Sequence, residues 1–376
     1  MADRCWRASL LASPFPSNDI PSAELRRYGI PLTRDPEARL RAFIGFVATT
    51  LVILAVASGA LSSAAGGAVR LYVTNSLGDD ITVIDLGTLK VMDDIKVGAG
   101  VHGACAPGDG RWLFTTVESE NNLKVISTAT DKVVKTVALT GRPNQCAATP
   151  DGRFVGVPIR DRDRVDIVDI TLGKVAKTLP VNVPHNCYNA GNNDDMFVSS
   201  MGDHQILRID LQKMDYVRKI PVGGIPRPYA VSRDELVLYS ALTDFHGFVI
   251  ARLDGSTALR RVELPPAPPS TCALEPHTPT HGLEISPDGK EVWATSLADD
   301  GVYVYEVGTG KLSNEIHLGK CPNWITFSPD GKYCCVSNSG SDDCSIIDTH
   351  SRREVARIPV GKGPKRLVAL RLPEGE

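Results

Sequence analysis

The chain has 376 residues, of which 42% are apolar and 23% are charged. This composition is typical of a globular protein and excludes wholesale disorder or a collagen-like structure. With 41 Lys and Arg against 44 Asp and Glu, the net charge is -3, so no basic face for nucleic-acid binding is expected. The 33 glycines and 26 prolines favour many turns and short strands over long helices.

The N-terminal part of the chain resembles an export segment. Residues 42–69 carry no charged side chain, and the apolar run 43–57 is followed by small residues, as in a secretory signal peptide. An uncleaved membrane anchor is the alternative, because the uncharged stretch is long enough to span a bilayer. We expect residues 1–41 to be a disordered extension. The protein would then be periplasmic or secreted, with membrane contact only through an uncleaved segment.

A repeat of about 42 residues organises the rest of the chain. The turn sequence Ser/Thr-Pro-Asp-Gly-Arg/Lys occurs at 149–153, 286–290 and 328–332, and each copy precedes a short run of strand-forming residues. Alternation with a period of two, interrupted by frequent turns, is typical of antiparallel strands. Seven such units of about four strands bury both of their faces only when packed around an axis. The sequence therefore predicts an all-β fold, a seven-bladed β-propeller of four-stranded antiparallel blades at 70–371, with a tail at 372–376.

The phase of the repeat predicts how the ring closes. The first strand-forming run, 71–75, has the position of a second strand, and the last, 365–370, has the position of an innermost strand. We expect the C-terminal innermost strand to join the N-terminal blade, which would remove a free sheet edge.

The stretch Tyr72-Val73-Thr74-Asn75 and the Pro-Asp-Gly turns resemble the repeat of YVTN-family β-propellers over residues 70–370. The resemblance implies the fold. It also implies a distant similarity to the haem d1 domain of cytochrome cd1 nitrite reductase, to the large subunits of bacterial amine dehydrogenases and to streptogramin lyases. It implies no single activity, because one fold carries many functions.

One polar or charged residue in each unit lies six positions before the Pro of the turn, with an allowance of one or two residues in one unit. These ring residues are His102, Asn144, His185, Arg227, His281, Asn323 and Lys365. The innermost strands of a propeller all start at one end of the central channel, so we expect the seven side chains to converge on one mouth. The alternative is that they bind only water and loop backbone there.

Three of the ring residues are histidines, and neutral imidazoles that meet on one axis are suitable ligands for copper, zinc or iron. We therefore predict a transition-metal site at His102, His185 and His281. Three imidazoles with an open fourth position would be typical of a catalytic site.

The cationic ring residues point to a different ligand. Arg227 and Lys365 disfavour a metal dication and favour a small anionic molecule such as a carboxylate or phosphate. Asn144 and Asn323 would donate hydrogen bonds to it. A metal ion with an anionic substrate beside it would satisfy both patterns.

Other residues are expected near the same mouth. Glu284 is a candidate general base lower in the channel, and Trp324 is expected to form an aromatic wall or to pack between blades. The Pro-rich insertion 261–280, which contains His277, is a candidate lid or partner-docking loop, with a tolerated surface loop as the alternative. The hairpins between second and third strands add groups that either bind a ligand or only shape the turns. These are Asp79, Asp80, His204, His246, Asp299, Asp300, Asp342 and Asp343.

Eight cysteines follow the export segment, and an even number in an exported domain permits disulfides. Cys146 and Cys187 have equivalent positions in neighbouring innermost strands, where they either pair or pack as small apolar residues. Cys272 and Cys321 are a second candidate pair. The sequence has no Cys-x-x-Cys-His motif, so covalent c-type haem is not expected, and it has no His-Glu-x-x-His motif, Gly-x-Ser-x-Gly elbow or P-loop.

These observations predict an exported β-propeller that binds a metal ion, a small anionic molecule or both at a histidine-lined channel mouth. If the site is catalytic, the protein would be a metal-dependent enzyme. Two alternatives stay open. One is a non-catalytic interaction subunit of a periplasmic redox complex, with a periplasmic protein as partner. The other is a metal-assisted lyase or lactonase-like hydrolase.

Overall fold

The computed structural model describes residues 67–191, 195–269, 272, 277–313 and 315–374. The expected N-terminal extension and the export segment up to residue 66 lie outside the described residues. From Gly67 onward the chain forms one compact unit. Within the described ranges there is no helix with the length and apolar character needed to cross a membrane.

Seven four-stranded antiparallel sheets, here called blades, follow one another along the chain. Blade 1 contains β1 (Val69–Asn75), β2 (Asp80–Asp85) and β3 (Lys90–Lys96). Blade 2 contains β4 (Val101–Cys105), β5 (Trp112–Val117), β6 (Asn122–Ser127) and β7 (Lys132–Ala138). Blade 3 contains β8 (Ala147–Ala148), β9 (Phe154–Ile159), β10 (Arg164–Asp169) and β11 (Lys174–Pro180). Blade 4 contains β12 (Pro184–Tyr188), β13 (Met196–Ser200), β14 (Gln205–Asp210) and β15 (Asp215–Pro221).

The remaining blades repeat the pattern. Blade 5 contains β16 (Pro226–Val231), β17 (Val237–Leu242), β18 (Gly247–Arg252) and β19 (Leu259–Glu263). Blade 6 contains β20 (Thr280–Ile285), β21 (Glu291–Ser296), β22 (Gly301–Glu306) and β23 (Ile316–His317). Blade 7 contains β24 (Pro322–Phe327), β25 (Tyr333–Asn338), β26 (Asp343–Asp348) and β27 (Arg353–Pro359), after which β28 (Pro364–Arg371) returns to blade 1. One 3-10 turn, Glu118–Glu120, follows β5.

The ring closes as the sequence predicts. Strand β28 pairs with β1 in antiparallel register, with Leu71 opposite Ala369 and Val73 opposite Leu367. Blade 1 is therefore built from both ends of the domain, and the order of its strands is β28-β1-β2-β3. The prediction of an all-β, seven-bladed propeller of four-stranded blades is confirmed.

The core lies between neighbouring blades. In β2 the four residues Ile81 to Ile84 are all buried, because both faces of the sheet are covered. Ile81 packs with residues of blade 2, and Ile84 packs with residues of blade 7. The outermost strand β3 has only one buried residue, Ile95. Burial on both faces explains why the inner strands read as continuous apolar runs.

The Pro-Asp-Gly signature forms the turn between first and second strands. In blade 7, Ser328 donates its hydroxyl to Asp330 at 2.6 Å, and Asp330 accepts the backbone N–H of Lys332 at 3.0 Å. Gly331 has a φ of 71°, which favours glycine. The same Ser/Thr–Asp bond occurs at Thr149 in blade 3 and at Ser286 in blade 6.

The described residues contain two disulfides, one between blades 2 and 3 and one between the 261–280 insertion and the residue just before β24. Cys272 bonds to Cys321, which is one of the predicted pairs. Cys146 bonds to Cys105 of blade 2, so the prediction that it pairs with Cys187 is wrong. Cys187 is free and buried. Equivalent positions point the same way around the ring, so Cys146 packs against blade 2 while Cys187 packs in the cluster between blades 3 and 4.

Candidate functional site

A β-bulge holds the ring residue in six of the innermost strands. In β4 the register moves from Val101 opposite Val117 to Ala104 opposite Thr115, so His102 lies inside the irregularity. The corresponding shifts enclose His185, Arg227, His281, Asn323 and Lys365. Bulges redirect side chains and are common beside functional sites.

In five of these six blades a hydroxyl on the second strand accepts a backbone N–H of the bulge, whereas blade 5 has Ala241 on its second strand and Pro228, which has no N–H, in its bulge. Thr116 accepts the N–H of Gly103 at 2.7 Å and donates to the carbonyl of Asn144 in the next blade at 2.8 Å. Thr74, the Thr of the YVTN stretch, likewise accepts the N–H of Arg366 at 3.0 Å and donates to the carbonyl of His102 at 3.3 Å. Each of these two hydroxyls joins the bulge of its own blade to the ring residue of the next blade.

Glycine follows two of the ring histidines because the next blade approaches closely. A Cβ at Gly103 would lie 2.7 Å from the carbonyl oxygen of Asn144, and one at Gly282 would lie 3.1 Å from that of Asn323. The first distance is too short for any larger residue without movement of the backbone. The His-Gly dipeptides at these positions therefore set how close the innermost strands lie.

A cavity of about 350 Å³ occupies the channel mouth. Its lining residues are His102, Arg160, Val183, Pro184, His185, Met201, Arg227, His281, Lys365 and Arg366. Five of the seven ring residues thus meet at one cavity. The other two, Asn144 and Asn323, are fully buried and do not line it.

His102 is fixed by an ion cluster. Its Nδ1 contacts the carboxylate of Glu118, which also accepts hydrogen bonds from Arg142 and, at 3.3 Å, from Arg160. Burial, together with the charges of Lys365 and a second cation of the lining, lowers the pKa of His102 to about 3, against the opposing effect of Glu118. The imidazole is therefore neutral at physiological pH.

The second histidine lies beside a cation. Nη1 of Arg227 is 3.3 Å from Nε2 of His185, and Nε of the same arginine donates to Thr243 at 2.9 Å. Burial and then the Arg227 charge hold the pKa of His185 well below its usual value. Nδ1 of His185 contacts the side-chain oxygen of Asn186.

The third histidine, His281, is 1% exposed and donates from Nδ1 to the carbonyl of Asn323 at 2.9 Å. Its ring meets Trp324 edge-on at 6.2 Å between centroids. Trp324 lies on β24 and is partly buried against the cluster between blades 7 and 1, so it packs between blades and also contacts this lining residue.

Arg366, which was not among the predicted site residues, is 1% exposed and lines the cavity. Its guanidinium group lies 3.6 Å from the centre of the Trp324 ring. Strict alternation along a strand places neighbours on opposite faces, so Lys365 is the only cation of β28 that the sequence predicts at the mouth. The bulge in β28 allows both residues to line the cavity. Arg160, at the end of the second strand of blade 3, was also missed.

The lining is strongly cationic. Four Arg and Lys side chains line the cavity, and the described lining contains no Asp or Glu. Within the part of the chain that the structure describes, no group of three or more His, Cys, Asp or Glu is arranged to hold a metal ion. The three-histidine metal site therefore stays a prediction.

Glu284 lies on β20, below the mouth, and does not line the cavity. It accepts a hydrogen bond from the hydroxyl of Tyr188 at 3.1 Å. These residues belong to blades 6 and 4, so their bond links two blades that are not neighbours in the ring. Desolvation raises the pKa of Glu284 to about 7.

The predicted hairpin groups shape turns and do not line the cavity. Asp300 accepts from Lys320 at 2.6 Å, and Asp342 accepts from Lys362 at 2.5 Å. Asp79 and Asp80 share Lys96 in the same way. His246 contacts the hydroxyl of Ser296 in blade 6, Asp299 accepts from the nearby Tyr303, and His204 adopts a φ of 56°.

The insertion residue His277 has a 74% exposed side chain, 3.5 Å from Asp244, and does not line the cavity. Residues 270–271 and 273–276 of the insertion lie outside the described residues. The prediction of a lid or docking loop therefore stays a prediction.

Comparison with known proteins identifies solved structures that share the propeller fold. No family model matches the chain, and no curated protein matches it, so the YVTN assignment stays a prediction. Among solved structures, the chain is similar to the hydrazine synthase of Kuenenia stuttgartiensis, at 16% identity over 74% of this chain and 92% of that one, with a TM-score of 0.65. It is similar to the dihydro-haem d1 dehydrogenase NirN in complex with DHE, at 16% identity over 80% and 74%, with a TM-score of 0.58.

A third similar structure is the periplasmic gluconolactonase PpgL of Pseudomonas aeruginosa, at 18% identity over 81% of this chain and all of that one, with a TM-score of 0.63. The expected distant similarity to haem d1-type propellers is thus found at the level of the fold. At such low identities the similarity shows the fold and not the activity.

Proposed function

We propose that this chain is an exported β-propeller that binds a small anionic molecule at the mouth of its central channel. One observation carries the proposal: Arg160, Arg227, Lys365 and Arg366, from three different blades, line one cavity that has no acidic residue in its described lining. A concave site lined by charges of one sign concentrates ions of the opposite sign. A volume of about 350 Å³ is at the lower end of the range for small-molecule pockets.

The cations are held in place before a ligand arrives. The guanidinium carbon of Arg366 lies 3.6 Å from the centre of the Trp324 ring, and Arg227 is held by its bond to Thr243. A guanidinium group fixed in this way binds a carboxylate or phosphate with two parallel hydrogen bonds and loses little conformational entropy. Because His102 is neutral, the positive charge of the lining comes from the arginines and the lysine.

Export is the second half of the proposal. The uncharged segment 42–69 and the two disulfides are typical of a protein that folds outside the cytoplasm. One structurally similar protein, the gluconolactonase, is named as periplasmic.

A metal ion bound at the three histidines is the second candidate for what this site binds. Elemental analysis of the purified chain measures it, and stoichiometric zinc, copper or iron that is lost in a triple His→Ala variant would support it.

Anion binding is tested by isothermal titration calorimetry of the full-length chain with phosphate, sulfate and citrate, against neutral glycerol. Arg227→Gln and Lys365→Gln are each expected to weaken anion binding at least tenfold. The matched control is Lys362→Gln, which removes a lysine whose partner is Asp342 and should leave binding unchanged. Equal binding by all three variants, or no binding of any anion at millimolar concentration, would overturn the proposal.

A further inference from the structure

Val183 has a backbone conformation that does not suit its side chain. The residue lies just before β12 and has a φ of 49°, in the left-handed region. A β-branched residue is an outlier there, because its Cβ crowds the neighbouring carbonyl oxygen. Such outliers persist only where the surrounding structure holds them, and they cluster at ligand-binding sites. The valine therefore needs an explanation other than the preference of its own backbone.

The same turn in blade 1 shows which residue suits this conformation. The N–H of Val183 donates to Oδ1 of Asp163 at 3.1 Å. The N–H of Gly363, just before β28, donates to Oδ1 of Asp342 at 2.8 Å, and Gly363 has a φ of 55°. Glycine adopts such a φ without strain. The backbone hydrogen bond of the turn thus explains the conformation but not the presence of a valine.

The side chain at this place of the turn is used differently in blades 7 and 4. In blade 7 the corresponding residue is Cys321, which has a φ of 53° and forms the disulfide with Cys272. Val183 instead is 45% exposed and lines the cavity at the channel mouth. Burial in the protein core therefore does not account for the valine, and its side chain is open to a molecule bound in the cavity.

Blade 4 supplies all the apolar residues of the described lining. These residues, here called the apolar wall, are Val183, Pro184 and Met201. The N–H of Met201 donates to the carbonyl of Val183 at 3.1 Å, which holds the two residues side by side. The four cations of the lining all come from other blades: Arg160, Arg227, Lys365 and Arg366. The cavity thus has an apolar side and a cationic side.

This division favours a ligand with two different parts. An inorganic anion would use the cations and leave the apolar wall in water. An aliphatic chain beside the anionic group would cover that wall, and removing apolar surface from water is favourable. A polyhydroxylated chain would not serve, because the side chains of Val183 and Pro184 offer its hydroxyl groups no hydrogen-bond partner in exchange for water.

We propose that the cavity selects a small organic acid with an aliphatic chain, whose carboxylate is bound by the cations and whose chain packs on Val183, Pro184 and Met201. This inference rests on the proposed function, because it specifies the anion. It makes Val183 a specificity-determining residue, and it explains why a valine occupies a turn position that is glycine in blade 1.

Three acids test the apolar requirement by isothermal titration calorimetry of the full-length chain at pH 7. Acetate carries the carboxylate with a single methyl group, and hexanoate adds an aliphatic chain. Gluconate has as many carbons as hexanoate but is hydroxylated. Hexanoate is expected to bind about tenfold more tightly than acetate or gluconate, since each methylene group removed from water contributes a factor of about four.

A glycine variant then tests Val183 itself. Val183→Gly keeps the backbone N–H and carbonyl of the turn and suits its φ, so its urea midpoint should not fall below that of the wild type. It is expected to reduce the ratio of hexanoate affinity to acetate affinity about fivefold. Leu89→Gly is the matched control, because it also removes an apolar side chain at a positive φ, 57°, but does not line the cavity. Its affinity ratio should equal that of the wild type.

The outcomes distinguish this inference from the proposed function. Equal binding of acetate and hexanoate by the wild-type chain, or tighter binding of gluconate than of hexanoate, would overturn the apolar requirement and leave the anion site in place. A Val183→Gly chain with the full wild-type ratio would overturn the role of Val183. Hexanoate binding that Arg227→Gln does not weaken would instead overturn the proposed anion site. The wild-type measurements decide the matter even if a variant fails to fold.

Discussion

Replacing Thr116 by valine tests whether the second-strand hydroxyls hold the bulges together. Thr116 is fully buried, and its hydroxyl bonds to the N–H of Gly103 and the carbonyl of Asn144. Valine has nearly the same shape but leaves both backbone groups without this partner. Each buried polar group left unsatisfied costs about 1–3 kcal/mol, so for two groups we expect a loss of about 2–6 kcal/mol in the free energy of unfolding.

Serine at the same position is the matched control. Thr116→Ser keeps both hydrogen bonds and removes one methyl group, which costs about 1 kcal/mol. Urea unfolding followed by tryptophan fluorescence gives both free energies. Valine should also lower the melting temperature by several degrees more than serine does, at roughly 2 °C per kcal/mol for a domain of this size. Equal destabilisation by valine and serine would refute the reasoning.

Three further predictions concern charge, disulfide and ring closure. Because the folded pKa of Glu284 is about 7, above its ordinary value, its protonated form stabilises the fold at low pH, and this contribution is lost as the pH rises through about 7. Glu284→Gln should therefore raise the urea midpoint more at pH 8 than at pH 5, and an equal effect at both would contradict this. Replacing Cys105 and Cys146 by serine should lower the free energy of unfolding by about 4 kcal/mol for a separation of 41 residues, and a loss below about 1 kcal/mol in urea titrations would be inconsistent with the linkage. Deleting 364–376 removes β28 and exposes an edge of β1, so light scattering should show aggregates, and a stable monomer with a native near-ultraviolet spectrum would refute the closure argument.

The fold was predictable because its signals are local and repeated. The Asp and Gly of each Pro-Asp-Gly turn make the same bonds in every copy, as at Asp330 and Gly331. The repeat has seven units, so its pattern can be recognised even though single units are irregular. Blade 3 is an example, because its innermost strand is reduced to Ala147–Ala148. The pairing of the two chain ends followed from the phase of the repeat alone.

The site was predicted only in part, because bulges break the alternation on which sequence reasoning depends. The repeat aligned the positions that reach the mouth, but Arg366 joins Lys365 there against the period of two. The burial of Asn144 and Asn323 away from the cavity has no sequence signal that distinguishes them from the histidines. The pairing of Cys146 with Cys105 depends on which of the two adjacent blades the Cys146 side chain faces. The spacing of equivalent residues along the sequence does not determine this.

Closure by the final strand has a consequence for biosynthesis. Lys365 and Arg366 lie on β28, the last strand to be synthesised, while His102 is translated more than 260 residues earlier. An incomplete chain therefore has no full binding mouth, and a nascent or C-terminally clipped molecule would not capture ligand. Because the proposed ligand would bind only the closed ring, occupancy of the mouth would hold the two chain ends together and reduce proteolysis of the open form.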